Sequence, residues 1–211
     1  MRPTALIDPA ARQRLESAIA QEELRTGGEI VVAVVHACDE YGSAGWRLGV
    51  SLAALVFLGL GLYAPPLPWT AYLGAQALAL LAGIAAARTD RVRRLLLPHA
   101  LAVQRVFQRA RRCFAEQGLT RTRGRTGILI LAALLERRVV VLADEGIHRA
   151  LGPDESWQEV VDLAVHGMRH GRAAEGLEAA VRRCGEILAA HLPAPTDNPD
   201  ELPNAVVLLE D

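Results

Sequence analysis

LGVSLAALVFLGLGLYAPPLPWTAYLGAQALALLAGIAAA, residues 48–87, contains no Asp, Glu, Lys, Arg or His. It divides at APPLP, residues 64–68, into two apolar halves. Each half is roughly 17–19 residues, which at about 1.5 Å per residue spans 25–29 Å, the thickness of a bilayer's hydrocarbon core. Val50, Leu52, Leu55, Val56, Phe57, Leu58, Leu60 and Leu62 give the first half roughly −3 to −4 kcal/mol of insertion free energy. The second half is Ala-rich with Gln76 near its middle, and is expected to insert as the partner of the first. Gly45, Gly49 and Ala53, and likewise Ala75, Ala79 and Gly83, recur every fourth position, a spacing that lets helix backbones approach closely. Trp46, Tyr63, Trp69 and Tyr72 lie near the ends, where aromatic belts form. A membrane hairpin follows. The competing reading is a core hairpin of a soluble protein, but such helices rarely lack every charge over so long a run.

Arg47 precedes this run, Arg88, Arg91, Arg93 and Arg94 follow it, and the connecting turn carries no cation. The positive-inside rule therefore places both termini in the cytoplasm and the chain in the cytoplasmic (inner) membrane as a two-pass protein. The N-terminus lacks an apolar h-region and is not expected to be a secretory signal.

Outside the run the composition is ordinary. Basic and acidic residues number 23 and 24, so nothing in the overall charge points to nucleic acid as a partner. Every basic residue is Arg. Cys38, Cys113 and Cys184 are odd in number and far apart, which fits reduced, mostly buried thiols better than a zinc cluster or a disulfide framework.

The flanking sequence reads as one α/β domain, a small sheet flanked by helices, split by the hairpin. Asp8-Pro9 is an N-cap followed by Pro at the first helical position, and the helix should run to about Arg25, where Thr26-Gly27-Gly28 stops it. Ala11, Leu15, Ala18 and Ile19 mark its buried face. Glu29 to Val35, EIVVAVV, is a strand whose continuous Val run implies burial on both faces. Beyond the hairpin, Arg91 to Leu97 is basic and apolar and could lie at the membrane surface. Val103, Phe107, Ala110 and Phe114 mark one face of a helix closed by Gly118. Its Arg105, Arg109, Arg111 and Arg112 form a solvated face or meet anionic headgroups. Residues 127–135 and 139–144 read as a hairpin of two buried strands about Glu136-Arg137-Arg138. Helices are expected near 153–170 and 173–191, followed by a loosely packed tail rich in Pro, Asp and Asn. The organisation is thus residues 1–45 and 89–191 as two parts of one domain, 46–88 as the hairpin, and 192–211 as the tail.

This order of elements, with EELRTGGEIVVAVV (residues 22–35), FAEQGLTRTRGRTGILILAALLERRVVVLADEGI (114–147) and GRAAEGLEAAV (171–181), resembles the TPM domain family. The interruption after the first strand and the DELPN tail (200–204) resemble its bacterial membrane subfamily, in which two transmembrane helices are inserted in the domain. The resemblance implies a compact sheet flanked by helices and, for some relatives, acid phosphatase activity or calcium binding. Where the family often has a Gly-rich turn after the second hairpin strand, this chain has Ala143-Asp144-Glu145-Gly146.

Three constellations bear on chemistry. Asp144 and Glu145 end a strand, and two hard carboxylates there could hold calcium or magnesium with loop carbonyls and water; Glu29 would join them if its strand end lies on the same side. Equally, strand-end acids cap turns or begin helices. Asp162, His166 and His170 share one helix face at a spacing that can present metal ligands, but Trp157, Val161, Ala164 and Met168 mark the core side, which turns the imidazoles to water. Arg121, Arg123 and Arg125 around Gly124 could cradle a phosphate or could be an exposed loop; the Walker Lys and its spacing are absent. No nucleophile motif occurs. The expected function is a membrane-anchored, non-catalytic accessory or scaffold protein whose partners are the lipid bilayer and a protein at the membrane. The alternative is a metal-assisted phosphatase.

Overall fold

A computed structural model describes residues 3–63, 67–151, 156–199 and 201–209. Residues 64–66 of the expected turn, and 152–155 at the expected start of a helix, lie outside the described residues. The chain forms two compact units, Met1–Cys38 with Val103–Asp211, and Asp39–Ala102.

The first unit is built on a four-stranded sheet of order β3-β2-β1-β4, formed by β1 (Glu29–Val35), β2 (Gly127–Ala133), β3 (Arg138–Ala143) and β4 (Val207–Leu209). β1 runs parallel to β2, with Glu29 opposite Gly127 and Val35 opposite Ala133, and parallel to β4 at Ala33–Val35. β2 and β3 are antiparallel, Ala133 pairing with Arg138. All residues of β1 and β2 are buried, as their unbroken apolar runs require of strands covered on both faces.

Helices cover those faces. On one side Ile30, Val32, Val34, Ile128 and Ile130 meet α2 (Pro9–Glu23) through Leu15 and Ile19, and α9 (Ala173–His191) through Leu177 and Leu188. α7 (Glu145–Leu151) and α8 (Gln158–Arg169) add Ile147, Val160 and Ala164 to the same core. On the other side Val31, Ala33, Leu129 and Leu131 pack with Val106, Ala110, Cys113 and Phe114 of α6 (His99–Glu116). α2 starts as its sequence demands: Pro9 occupies the first turn and Asp8 Oδ1 accepts from Ala11 N at 2.6 Å. A short α1 (Pro3–Leu6) precedes it.

Three expectations need correction, and one open reading is decided. β3 is an edge strand and only partly buried, because nothing pairs beyond it among the described residues. The acids after β3 begin α7 rather than a turn, the second of the two readings open for them. Val106 and Cys113 sit fully inside where Phe107 was expected to; Phe107 is 43% exposed. The segment expected as a loose tail is tied down: Asn198 Nδ2 donates to the carbonyls of Glu23 and Thr26, Val206 is buried, and residues 207–209 pair with the central strand β1.

The second unit is a helical hairpin of α3 (Gly42–Tyr63) and α4 (Trp69–Ala86), followed by α5 (Asp90–Leu96). An added Cβ on Gly83 would meet the Gly49 backbone, and one on Gly49 would lie 2.7 Å from Leu80 O. The two small-residue stripes therefore meet, and the helices touch backbone to backbone. With its amide oriented to satisfy both groups, Gln76 donates to Ala53 O at 2.6 Å and accepts from Phe57 N at 3.2 Å. Its polar atoms are thus satisfied within the hairpin. Leu55, Leu58, Leu62, Leu73, Leu78 and Leu81 face outward and are exposed. Both helices are long and apolar enough to cross a membrane, with mean hydropathy 1.7 and 1.4 and only 6% of either span buried.

Candidate functional site

Parallel pairing of β1 with β2, and antiparallel pairing of β2 with β3, brings Glu29, Gly127 and Asp144 to one edge of the sheet, with Asp144 N donating to Gly127 O at 2.9 Å. Glu29 and Asp144 stand two strand spacings apart, on the order of 10 Å between backbones. The condition for Glu29 to approach, a shared side of the sheet, is met; the side chains themselves are engaged elsewhere.

Asp144 is 7% exposed, and both its oxygens are held. Arg125 Nε donates to Oδ2 at 2.7 Å and Nη2 to Oδ1 at 2.9 Å, a bidentate fork. Oδ1 also accepts from Glu145 N at 2.8 Å at the start of α7. The Arg125 hydrogen bonds first, then that backbone N–H and the positive charge of Arg125, hold the carboxyl below its ordinary range against the opposing effect of burial.

The loop before β2 is shaped to deliver Arg125. Thr126 N donates to Thr122 Oγ1 at 3.0 Å, and Thr126 Oγ1 donates to Gly27 O at 2.8 Å. Arg125 itself adopts a left-handed backbone, φ 53°, a conformation uncommon outside glycine. Its carbonyl accepts from Gly146 N at 2.9 Å, and a Cβ on residue 146 would collide with Gly124 O. Gly146 is therefore what allows α7 to press on this loop.

The neighbouring acids are also occupied. Glu145 is exposed and pairs with Arg149 at 2.8 Å, which lowers its pKa. Buried Glu29 accepts from Glu201 N at 3.3 Å, while Glu201 Oε2 accepts from Arg123 N at 2.9 Å. This links β1, the loop before β2 and the C-terminal segment. Among the described residues no group of three or more His, Cys, Asp or Glu is placed to hold a metal ion.

Of the other constellations, Asp162 and His166 on α8 and His170 just past its end are exposed, as the core pattern implied. The rings of His166 and His170 lie 4.2 Å apart, tilted by 36°, and Asp162 accepts from Gln158 Nε2 at 2.8 Å. Arg121, Arg123 and Arg125 are exposed on the loop, with Arg125 committed to Asp144. Among the described residues no disulfide joins Cys38, Cys113 or Cys184. Cys113 and Cys184 are buried, and desolvation pushes both thiols up.

Sequence reasoning missed Arg125 as the partner of Asp144, Gly146 as the contact point, and Glu201 as the partner of Glu29. The first was within reach: counting the β2–β3 register outward from Ala133–Arg138 sets Gly127 against Asp144, with Arg125 just beyond.

The TPM domain model matches residues 79–187, just over half the chain. The chain belongs to the TPM domain family. The match takes in α6, β2, β3, α7 and α8, with the Arg125–Asp144 pair, while β1 lies outside it. Among solved structures, the NMR structure of the BA42 protein from the psychrophilic bacterium Bizionia argentinensis is similar, with TM-score 0.59 and 18% identity. The likeness covers 95% of this chain and 94% of that one. At that identity it speaks for the shared fold. No curated protein matches this chain.

Proposed function

We propose that this TPM domain protein is anchored in the cytoplasmic membrane by the α3–α4 hairpin, as in the membrane subfamily its sequence resembles, and serves there as a non-catalytic accessory or scaffold protein. The carrying observation is the hairpin's surface: two long apolar helices, whose one charged residue is Arg47 near the start of α3, with Leu side chains pointing outward and their one amide satisfied internally. Exposed Leu faces of this extent are unfavourable in water and favourable in lipid. The Arg residues at 47, 88, 91, 93 and 94 favour both termini in the cytoplasm.

The scaffold reading is supported by what Asp144 does. A carboxylate gripped by a guanidinium fork and a helix-start N–H serves as a clamp between the loop and α7, and a cation there would have to displace Arg125. Turnover of p-nitrophenyl phosphate by the purified full chain, with calcium, magnesium or chelator, tests this. No turnover is expected. Cation-dependent hydrolysis lost in Asp144→Asn would establish the phosphatase reading instead.

A further inference from the structure

The last turn of α8 and the residue that closes it carry two imidazoles. His166 and His170 are four residues apart, so both project from one face of the helix, and both are exposed. Their ring centroids are 4.2 Å apart and the ring planes are tilted by 36°. With metal–nitrogen bonds of about 2.0–2.1 Å, two imidazoles held side by side on one ion set their centroids about 4.5 Å apart. Small rotations of two exposed side chains close the difference.

A second observation assigns the nitrogens. His170 Nδ1 lies 2.8 Å from His166 O. A carbonyl oxygen only accepts, so Nδ1 carries the proton and the Nε2 lone pair is left for a ligand. Metal-binding histidines use this arrangement, the second ring nitrogen donating to a carbonyl and so fixing tautomer and ring orientation. The pair also stands at a helix C-terminus, where the negative end of the dipole favours a cation. Asp162, one turn before His166, adds a carboxylate to the same stretch, with Oδ1 held by Gln158. Of the nearby cations, Arg172 pairs with Glu175 at 3.6 Å, and Arg169 is exposed to screening by solvent.

We propose that His166 and His170 chelate one divalent late transition-metal ion, of the nickel, copper or zinc class, with water in the remaining coordination positions. Two imidazole nitrogens select these ions over calcium and magnesium, which take oxygen ligands. With two protein ligands rather than the three or four of catalytic and structural zinc sites, the ion is exchangeable. When bound it ties the last turn of α8 to the residue that ends it, just before Gly171, at φ 73°, turns the chain toward α9. The site goes beyond the reading proposed above and rests on neither the membrane anchor nor the Asp144 clamp.

The test is a titration of the full chain in detergent with Ni²⁺ at neutral pH, competed against a metallochromic dye. The expected result is one ion per chain at the tightest site, not displaced by excess Ca²⁺ or Mg²⁺. His166→Ala should weaken that site about tenfold or more, because a chelate becomes a single bond. His170→Asn should do the same: its side-chain amide can keep the bond to His166 O but lacks Nε2, so loss of ligation is read apart from loss of the helix end. Both positions are exposed, so both variants should fold. The double variant measures the single-point background from His36, His99, His148 and His191. Asp144→Asn should bind as the parent does, which separates this site from any cation at Asp144. No saturable uptake up to millimolar Ni²⁺, equal affinity in parent and variants, or a loss in only one of the two single variants would overturn the chelate.

Discussion

Arg125 grips both carboxylate oxygens of Asp144 at 2.7 and 2.9 Å, tying the loop before β2 to the end of β3, while the same carboxylate receives the first N–H of α7. Three elements converge on one side chain, and its ionisation decides whether the fork holds.

The sign of the pH dependence follows. Asp144 is depressed in the folded protein from an ordinary value of 3.8, chiefly by the Arg125 hydrogen bonds. Its contribution is therefore present above that value and lost as pH falls through the lower folded one. Asp144→Asn should be less stable than the parent at neutral pH, and the gap should be narrower at a pH well below 3.8. Urea melts of both proteins at the two pH values check this. Asp144→Ala, which also removes the acceptor for Glu145 N, should cost a further amount of about 1 kcal/mol.

If Asp144 serves Arg125, millimolar calcium or magnesium should leave the parent's thermal melt where chelator leaves it. A bound cation would instead raise it by mass action, roughly 2.7 kcal/mol at a hundred times its dissociation constant. A rise in the parent that Asp144→Asn abolishes would establish a cation site at this position.

Gly146→Ala should be costly out of proportion to its size. The added methyl runs into the carbonyl oxygens of Gly124 and Arg125, backbone atoms that cannot rotate away. A loss of about 1–3 kcal/mol is expected from such overpacking. An unchanged urea midpoint would mean that α7 and the loop are not pressed together.

Local patterns were legible in the sequence, and distant pairings were not. β1 could be read because Glu29–Val35 is a continuous run of strand formers, and α2 because Asp8 and Pro9 fix its start. The apolar hairpin helices could be read because length and absence of charge are properties of a segment alone. β4 is three residues behind a stretch of Pro, Asp and Asn, and only its pairing with Ala33–Val35 makes it a strand. The site divided the same way. Asp144 and Glu145 stood out as acids at a strand end, but their partners lie at different separations: Arg149 one turn along α7, Arg125 19 residues back across a hairpin. Glu29 meets Glu201 across 172 residues, beyond any periodic signal.

The proposed topology has both termini in the cytoplasm, so a reporter active only outside the cytosol should be silent when fused to either end. Activity at the C-terminus alone would mean that one helix of the pair fails to span.

The central claim is the anchor, and alkaline carbonate washing of membranes containing the full chain tests it most directly. Peripheral proteins are released by the wash, whereas a hairpin that exposes Leu55, Leu58, Leu62, Leu73, Leu78 and Leu81 to lipid stays in the pellet. Quantitative retention in the membrane fraction is the predicted result. Recovery of the chain in the carbonate supernatant as folded protein would contradict it.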